Sequence, residues 1–197
     1  MTAVWLIRHA EPDAAVHGRC YGLLDASLSQ AGREQAASLA LRLAAEPFAA
    51  IYSSPRLRAI QTAEAIAARH SLDVITAPDF RELHFGDFEG RTYDDIAATH
   101  SKLYRQWMET PAEVRFPNGE NFAQMRVRVL DAYRRLLARR HDQTVGIIAH
   151  GGVIRIILAD ALGIPDANIF RVAQRYAALN LIRYFDGYPS IELVNAP

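Results

Sequence analysis

An α/β fold with a mostly parallel central sheet flanked by helices is what this sequence predicts, and three observations predict it. Short apolar runs alternate with segments whose apolar residues recur every three to four positions. Two of the short runs end on a histidine, at His9 and His150, and the second is followed directly by a helical pattern. Glycine and proline are scattered singly, with no linker and no repeat of fixed period, so residues 1–197 read as a single domain.

The strand candidates are AVWLI (3–7), AAIYS (49–53), LDVIT (72–76), TVGIIA (144–149) and AALNLIRY (177–184). SIELV (190–194) follows a DGYP turn and is expected to pair with the run before it as a hairpin. Between the strands, Ala36, Leu39, Ala40 and Leu43 share a helical face after the capping residue Ser29, and Ala59, Ala63, Ile66 and Ala67 do so after Pro55. A third helix, FAQMRVRVLDAYRRLLARR, aligns Phe122, Met125, Val129, Ala132 and Leu136 as a core stripe. A fourth, VIRIILADAL, stops near Gly163 and Pro165. Residues 77–120 break the alternation with polar loops around YDDIAATH and LYRQWMET, and are expected to form an excursion covering a site.

Composition narrows the function classes. Lys+Arg and Asp+Glu are equal at 22 each, so no overall field favours nucleic acid or an anionic membrane, and any anion selectivity is local. The single cysteine, Cys20, excludes an internal disulfide and reads as a small packed side chain. No apolar run reaches the roughly 20 residues of a membrane span, and the first residues lack a signal-peptide pattern, so a cytoplasmic location is expected. The seven histidines show neither HExxH nor paired His/Cys spacing, so no metal and no cofactor is expected.

The chemistry-bearing residues cluster at predicted strand ends. The first strand runs into Arg8 and His9, the TVGIIA strand runs into His150, Gly151 and Gly152, and the second strand delivers Arg58 one turn into a helix. In a parallel sheet the carboxyl ends of the strands line one edge, where ligands bind. Two arginines and a helix start there favour an anion, and the guanidinium fork suits a phosphate. No serine or cysteine nucleophile motif is present, so a neutral imidazole is the reasonable attacking group on phosphorus. The departing oxygen then needs a proton, and RELHFGDFEG offers Glu82, Asp87 and Glu89, among which spacing does not choose. Beside a dianionic phosphate such a carboxyl keeps its proton, donates it, and can then activate water. His84 reads as a structural or surface histidine.

The segments LIRHAEP, GRCYGLLDASLSQAGREQA, SSPRLRAIQTA, RELHFGDFEG, PNGENF and IIAHGG, in this order, resemble the histidine phosphatase superfamily, the phosphoglycerate-mutase-like group. The resemblance implies that His9 is a nucleophile forming a phosphohistidine, that Arg8, Arg58 and His150 hold the phosphoryl group, and that Glu82 is the proton donor. It further implies substrate contacts for Arg19, Tyr21, Gly22, Asn118, Gly119, Glu120 and Gly151. Ala10 stands where the family motif has glycine, and Ala15 where many members have a polar phosphate contact; both are expected to bear on affinity or substrate size. The segments look more like the α-ribazole phosphatase subgroup, which acts on a cobalamin-precursor nucleotide, than like the glycolytic mutases.

The function expected is therefore hydrolysis of a small phosphomonoester, α-ribazole 5′-phosphate being one such substrate. The alternatives are a cofactor-dependent phosphoglycerate mutase and a non-catalytic phosphate-binding regulator. The expected partner is a small phosphorylated substrate, without nucleic acid or membrane; a homodimer is compatible with the sequence.

Overall fold

Six strands form one sheet in the order β3-β2-β4-β1-β5-β6: β1 Thr2–Arg8, β2 Phe48–Ser53, β3 Val74–Thr76, β4 Thr144–Ala149, β5 Leu179–Phe185 and β6 Tyr188–Ala196. This arrangement comes from a computed structural model that describes residues 1–197. The first four strands are mutually parallel; β5 runs antiparallel to β1 and turns through Asp186 and Gly187, both at positive φ, into β6. Positive φ at both central positions matches the twist of a two-residue hairpin. Only the second half of the predicted 72–76 run pairs, since Asp73 is exposed and Val74–Thr76 alone meet β2.

The alternation of side chains along β1 divides the interior in two. Val4 and Leu6 face a core shared with Met125, Val129, Ile147, Ile154 and Ile157, while Ala3, Trp5 and Ile7 face one shared with Leu39, Ala63, Ile66 and Ile148. Helices α1 Gln30–Arg42 and α2 Leu57–Ala67 supply the second face. The first is built on α5 Phe122–Arg139 and α6 Gly151–Leu162. Ser29 caps α1 by accepting from the Gly32 N–H at 2.9 Å, and α2 starts at Leu57, after Pro55, both as expected. Helix α6 buries Val153, Ile154, Ile156, Ile157 and Leu158, each contributing about 1.5–3 kcal/mol of burial, and ends at Gly163 in the left-handed conformation.

The chain leaves β1 toward β2 over one face and leaves β4 toward β5 over the other. The crevice that opens between two such neighbouring strands is where α/β sheets bind ligands. Register places Arg8 beside Ala149 and Ser53 beside Ile148, so the residues that follow, His9, His150 and Ser54, emerge side by side. The 77–120 segment contains α3 Tyr93–Thr99 and α4 Ser101–Glu109, and its Phe88, Ile96, Val114 and Phe116 pack with Cys20 in a small core of their own. Bridges Arg19↔Thr92 and Cys20↔Glu89 tie it to the loop after His9. No helix is long and apolar enough to cross a membrane.

Candidate active site

A cavity of about 150 Å³ at the strand ends is lined by Arg8, His9, Arg19, Tyr21, Arg58, Glu82, Phe85, Tyr93 and His150. His9 and His150 are buried, and their rings meet edge-on with centroids 5.1 Å apart. The His9 Nδ1 lies 2.8 Å from the Ala10 carbonyl oxygen. A carbonyl only accepts, so Nδ1 carries the proton and Nε2 keeps its lone pair. Burial first, then the charges of Arg58 and Arg8, hold the His9 imidazole well below its ordinary value against the opposing Ala10 hydrogen bond. The ring is therefore neutral at pH 7. His150 is held low for the same leading reason, burial, and then by Arg58, His9 and Arg8. Its Nε2 meets the Ser54 hydroxyl at 2.7 Å, and the Arg58 Nη2 donates to its Nδ1 at a longer 3.3 Å.

The arginines are fixed by backbone oxygens rather than by carboxylates. Arg58, only 1% exposed, donates to the carbonyls of Tyr21, Gly22 and Leu24 at 2.9–3.0 Å and lies over the Tyr21 ring at 4.9 Å. Arg8 donates to the Gln174 carbonyl and lies over the Tyr176 ring at 4.3 Å. The two tyrosine hydroxyls are joined at 2.7 Å, so one aromatic pair supports both guanidinium groups. The Nε atoms of Arg8 and Arg58 are buried with no protein acceptor. A buried N–H without a partner costs on the order of 1–3 kcal/mol, which an anionic oxygen entering the cavity would recover.

Glu82 reaches the same cavity from the start of the excursion. Its Oε2 accepts from the Gly152 N–H at 3.1 Å and its Oε1 from the Leu83 N–H at 2.9 Å, so the carboxylate sits on the N-terminus of α6. A Cβ at Gly152 would come within 2.4 Å of Glu82 Oε1, which explains the small residue there. The other two carboxylates of the segment are engaged elsewhere. Glu89 accepts from the Leu23, Leu24 and Phe85 N–H groups, and Asp87 accepts from Asn118. Arg128 on α5 braces the stem of the excursion by donating to the Asp79 and Arg81 carbonyls and to Glu120.

Of the sequence-derived residues, Arg8, His9, Arg19, Tyr21, Arg58, Glu82 and His150 come together around the cavity. Gly22 packs behind it, where a Cβ would strike the Leu83 carbonyl, and Gly151 opens α6 beside Arg8. Asn118, Gly119 and Glu120 line neither this cavity nor the larger one next to it. Asn118 holds Asp87, Gly119 packs on His84 and Gly86, and Glu120 pairs with Arg128 at 2.7 Å. The Ala10 methyl is fully buried against Leu28 and Ala36 in the core behind the site. Ala15 is exposed, and its carbonyl accepts from Arg19. Burial, then Glu89, pushes the Cys20 thiol up to about 12, consistent with a packed, unreactive side chain.

Sequence reasoning missed Ser54, Thr62, Gln174 and Tyr176. Thr62 accepts from the Ala10 N–H at 3.0 Å and donates to the Arg58 carbonyl at 2.7 Å, tying the neighbour of His9 to α2. Gln174 is locked by Asn180, whose side chain also donates to the Leu6 carbonyl. A second chamber of about 670 Å³ adjoins the first through Glu82, Phe85 and Tyr93 and is walled by rings including Tyr104, Trp107, Phe122 and Phe170.

Comparison with known proteins agrees with this geometry. Phosphoserine phosphatase 1 of Hydrogenobacter thermophilus is 34% identical over 182 residues, covering 92% of this chain and 86% of that protein. The adenosylcobalamin/α-ribazole phosphatase of Escherichia coli is 31% identical over 173 residues, covering 87% and 85%. The solved structure of Bacillus stearothermophilus YhfR superposes with a TM-score of 0.94 at 28% identity, covering 100% of this chain and 98% of that one. Residues 4–197 match the sequence profile of the histidine phosphatase superfamily (branch 1), and with those relatives this chain belongs to that superfamily as one of its phosphatases.

Proposed function

We propose that the chain hydrolyses a small phosphomonoester through a covalent phosphohistidine on His9, with residues 1–197 acting as one catalytic domain under the 77–120 cover. The observation that carries this reading is a neutral imidazole, its Nε2 free, between two arginines whose Nε–H groups lack acceptors. The phosphoryl oxygens would take those N–H groups, and the long Arg58 to His150 contact is the one they would replace. Charge that the arginines neutralise in the transition state lowers the barrier because it is positioned beforehand.

His9 Nε2 donates its lone pair to phosphorus, the bond to the ester oxygen breaks, and Glu82 passes its proton to that oxygen. The ring is then cationic, with the Nδ1 proton still donated to Ala10. Glu82, now a carboxylate, takes a proton from water as the water oxygen attacks phosphorus and the P–N bond breaks. Neutral His9, protonated Glu82 and inorganic phosphate result.

α-Ribazole 5′-phosphate is the substrate named by relatives of the subgroup the sequence resembles, and its flat apolar base is the kind of body the ring-walled chamber accepts. Such an enzyme would work in the cytoplasm on a free small molecule. The test is kcat/KM for α-ribazole 5′-phosphate, phosphoserine, sugar phosphates, nucleotides and phosphoglycerates, with quenching to trap acid-labile phosphate on His9. Phosphate release with a strong preference for one substrate supports the reading. Isomerisation of 2- to 3-phosphoglycerate outrunning hydrolysis would replace it with a mutase, and neither release nor phosphohistidine would replace it with a regulator.

A further inference from the structure

Arg155 stands on the second turn of α6, half-buried in the wall of the larger chamber. Its Nε donates to the Val172 carbonyl at 2.7 Å and its guanidinium lies 5.7 Å from the Phe170 ring centroid. Nη1 and Nη2 have no protein acceptor, and none of the ion pairs includes this residue. A Cβ built on Gly151 would lie 2.9 Å from Arg155 Nη1 and 3.8 Å from Arg8 Cζ, so two guanidinium groups flank the same glycine. Arg8 serves the phosphoryl cavity; Arg155 serves the chamber. Burial, then Arg8, disfavours its charge, and Glu82 is the one group that favours it. A cation in apolar surroundings without a counter-ion is costly unless a ligand supplies one.

We propose that Arg155 recognises a carboxylate on the organic part of the substrate, so that the preferred phosphomonoester carries a second, non-phosphoryl anion beside an apolar or aromatic body; α-ribazole 5′-phosphate, which has no carboxylate, would then rank below a carboxylated substrate. The inference rests on the phosphatase reading for its substrate but on Arg155's own surroundings for its chemistry. The paired Nη donors form a flat fork that fits a carboxylate.

Binding tests the proposal without requiring turnover. Benzylphosphonate, its 2-, 3- and 4-carboxy derivatives and the matching carboxamides are titrated calorimetrically into the wild-type chain, Arg155→Gln and Arg155→Lys. At least one carboxylate should bind about tenfold more tightly than its carboxamide. Arg155→Gln should erase that ratio and Arg155→Lys should keep part of it. Thermal unfolding checks that each variant is folded. No carboxylate preference in the wild type, or a preference that survives Arg155→Gln, overturns the proposal. So does an equal loss for benzylphosphonate and its carboxylated forms, which would assign Arg155 to the phosphoryl site. Hydrolysis of phenyl phosphate is measured in parallel, and its absence would count against the hydrolase reading alone.

Discussion

At the sheet edge His9, Arg58 and His150 are nearly sealed from solvent, and their side chains hydrogen-bond to the backbone oxygens of Ala10, Tyr21, Gly22 and Leu24 and to the Ser54 hydroxyl just past β2. Above them, α4 buries none of its residues, although its Tyr104, Trp107 and Met108 wall the larger chamber. The lower region is almost fully buried, so it can be moved only at a cost to the fold. Helix α4 has no fully buried residue and therefore a low local stability, which suits a surface that adapts to an organic group. Chemistry is assigned to the rigid part and selection to the yielding part.

The sharpest way to test that division is His9→Ala, which should lower phosphatase turnover by at least about 10³-fold and abolish acid-labile phosphate, with an unfolding midpoint close to wild type. Arg58→Ala should cost about 3 kcal/mol of transition-state stabilisation. It should also lower stability, measurable by denaturant titration, because it strands three inward carbonyls; activity loss without any loss of stability would break the link between floor and fold. Glu82→Gln should slow alkyl phosphates on the order of 10²-fold while sparing nitrophenyl phosphate, whose leaving group needs little help. Equal losses on both would contradict its role as the acid.

Acid sensitivity should be a property of the floor. His9 and His150 have folded values well below the ordinary one, so between those values the unfolded chain binds protons that the folded chain refuses. Stability then rises with pH through that window and falls as pH drops below about 6.5, by at most about 1.4 kcal/mol per pH unit for each histidine. Denaturation midpoints at pH 5.5 and 7.5 should differ in the wild type and differ less in His9→Asn. The smallest effect is expected above: Trp107→Ala should lower kcat/KM for aryl phosphates by about 1 kcal/mol relative to methyl phosphate and leave the acid sensitivity unchanged.

The sheet was readable because burial on one or two faces imposes period two and period 3.6 on the chain, and β1, β4 and α6 follow those periods closely. The antiparallel hairpin could be anticipated from its turn residues. Glu82 could be narrowed only to three carboxylates by spacing, since what singles it out is the N-terminus of α6, 70 residues away in sequence. Ser54 carries a signal in the sequence: it follows its strand just as His9 and His150 follow theirs. Tyr176 lies before a strand, and it reaches the edge only because β5 is antiparallel, which the residue pattern does not encode. Asn118 to Glu120 show the reverse case, where a recognisable motif holds the cover together through Asp87 and Arg128 rather than lining the cavity.

The acceptor that orients His9 is a peptide oxygen, and this bears on how the site can change by mutation. Where a side-chain carboxylate fixes the tautomer of a catalytic histidine, one codon change can remove it. Here every residue at position 10 brings the same oxygen, so the proton on Nδ1 is heritable independently of the side chain. What position 10 can transmit is displacement: a side chain larger than alanine must push against Leu28 and Ala36, and through them shift α1 before it disturbs His9.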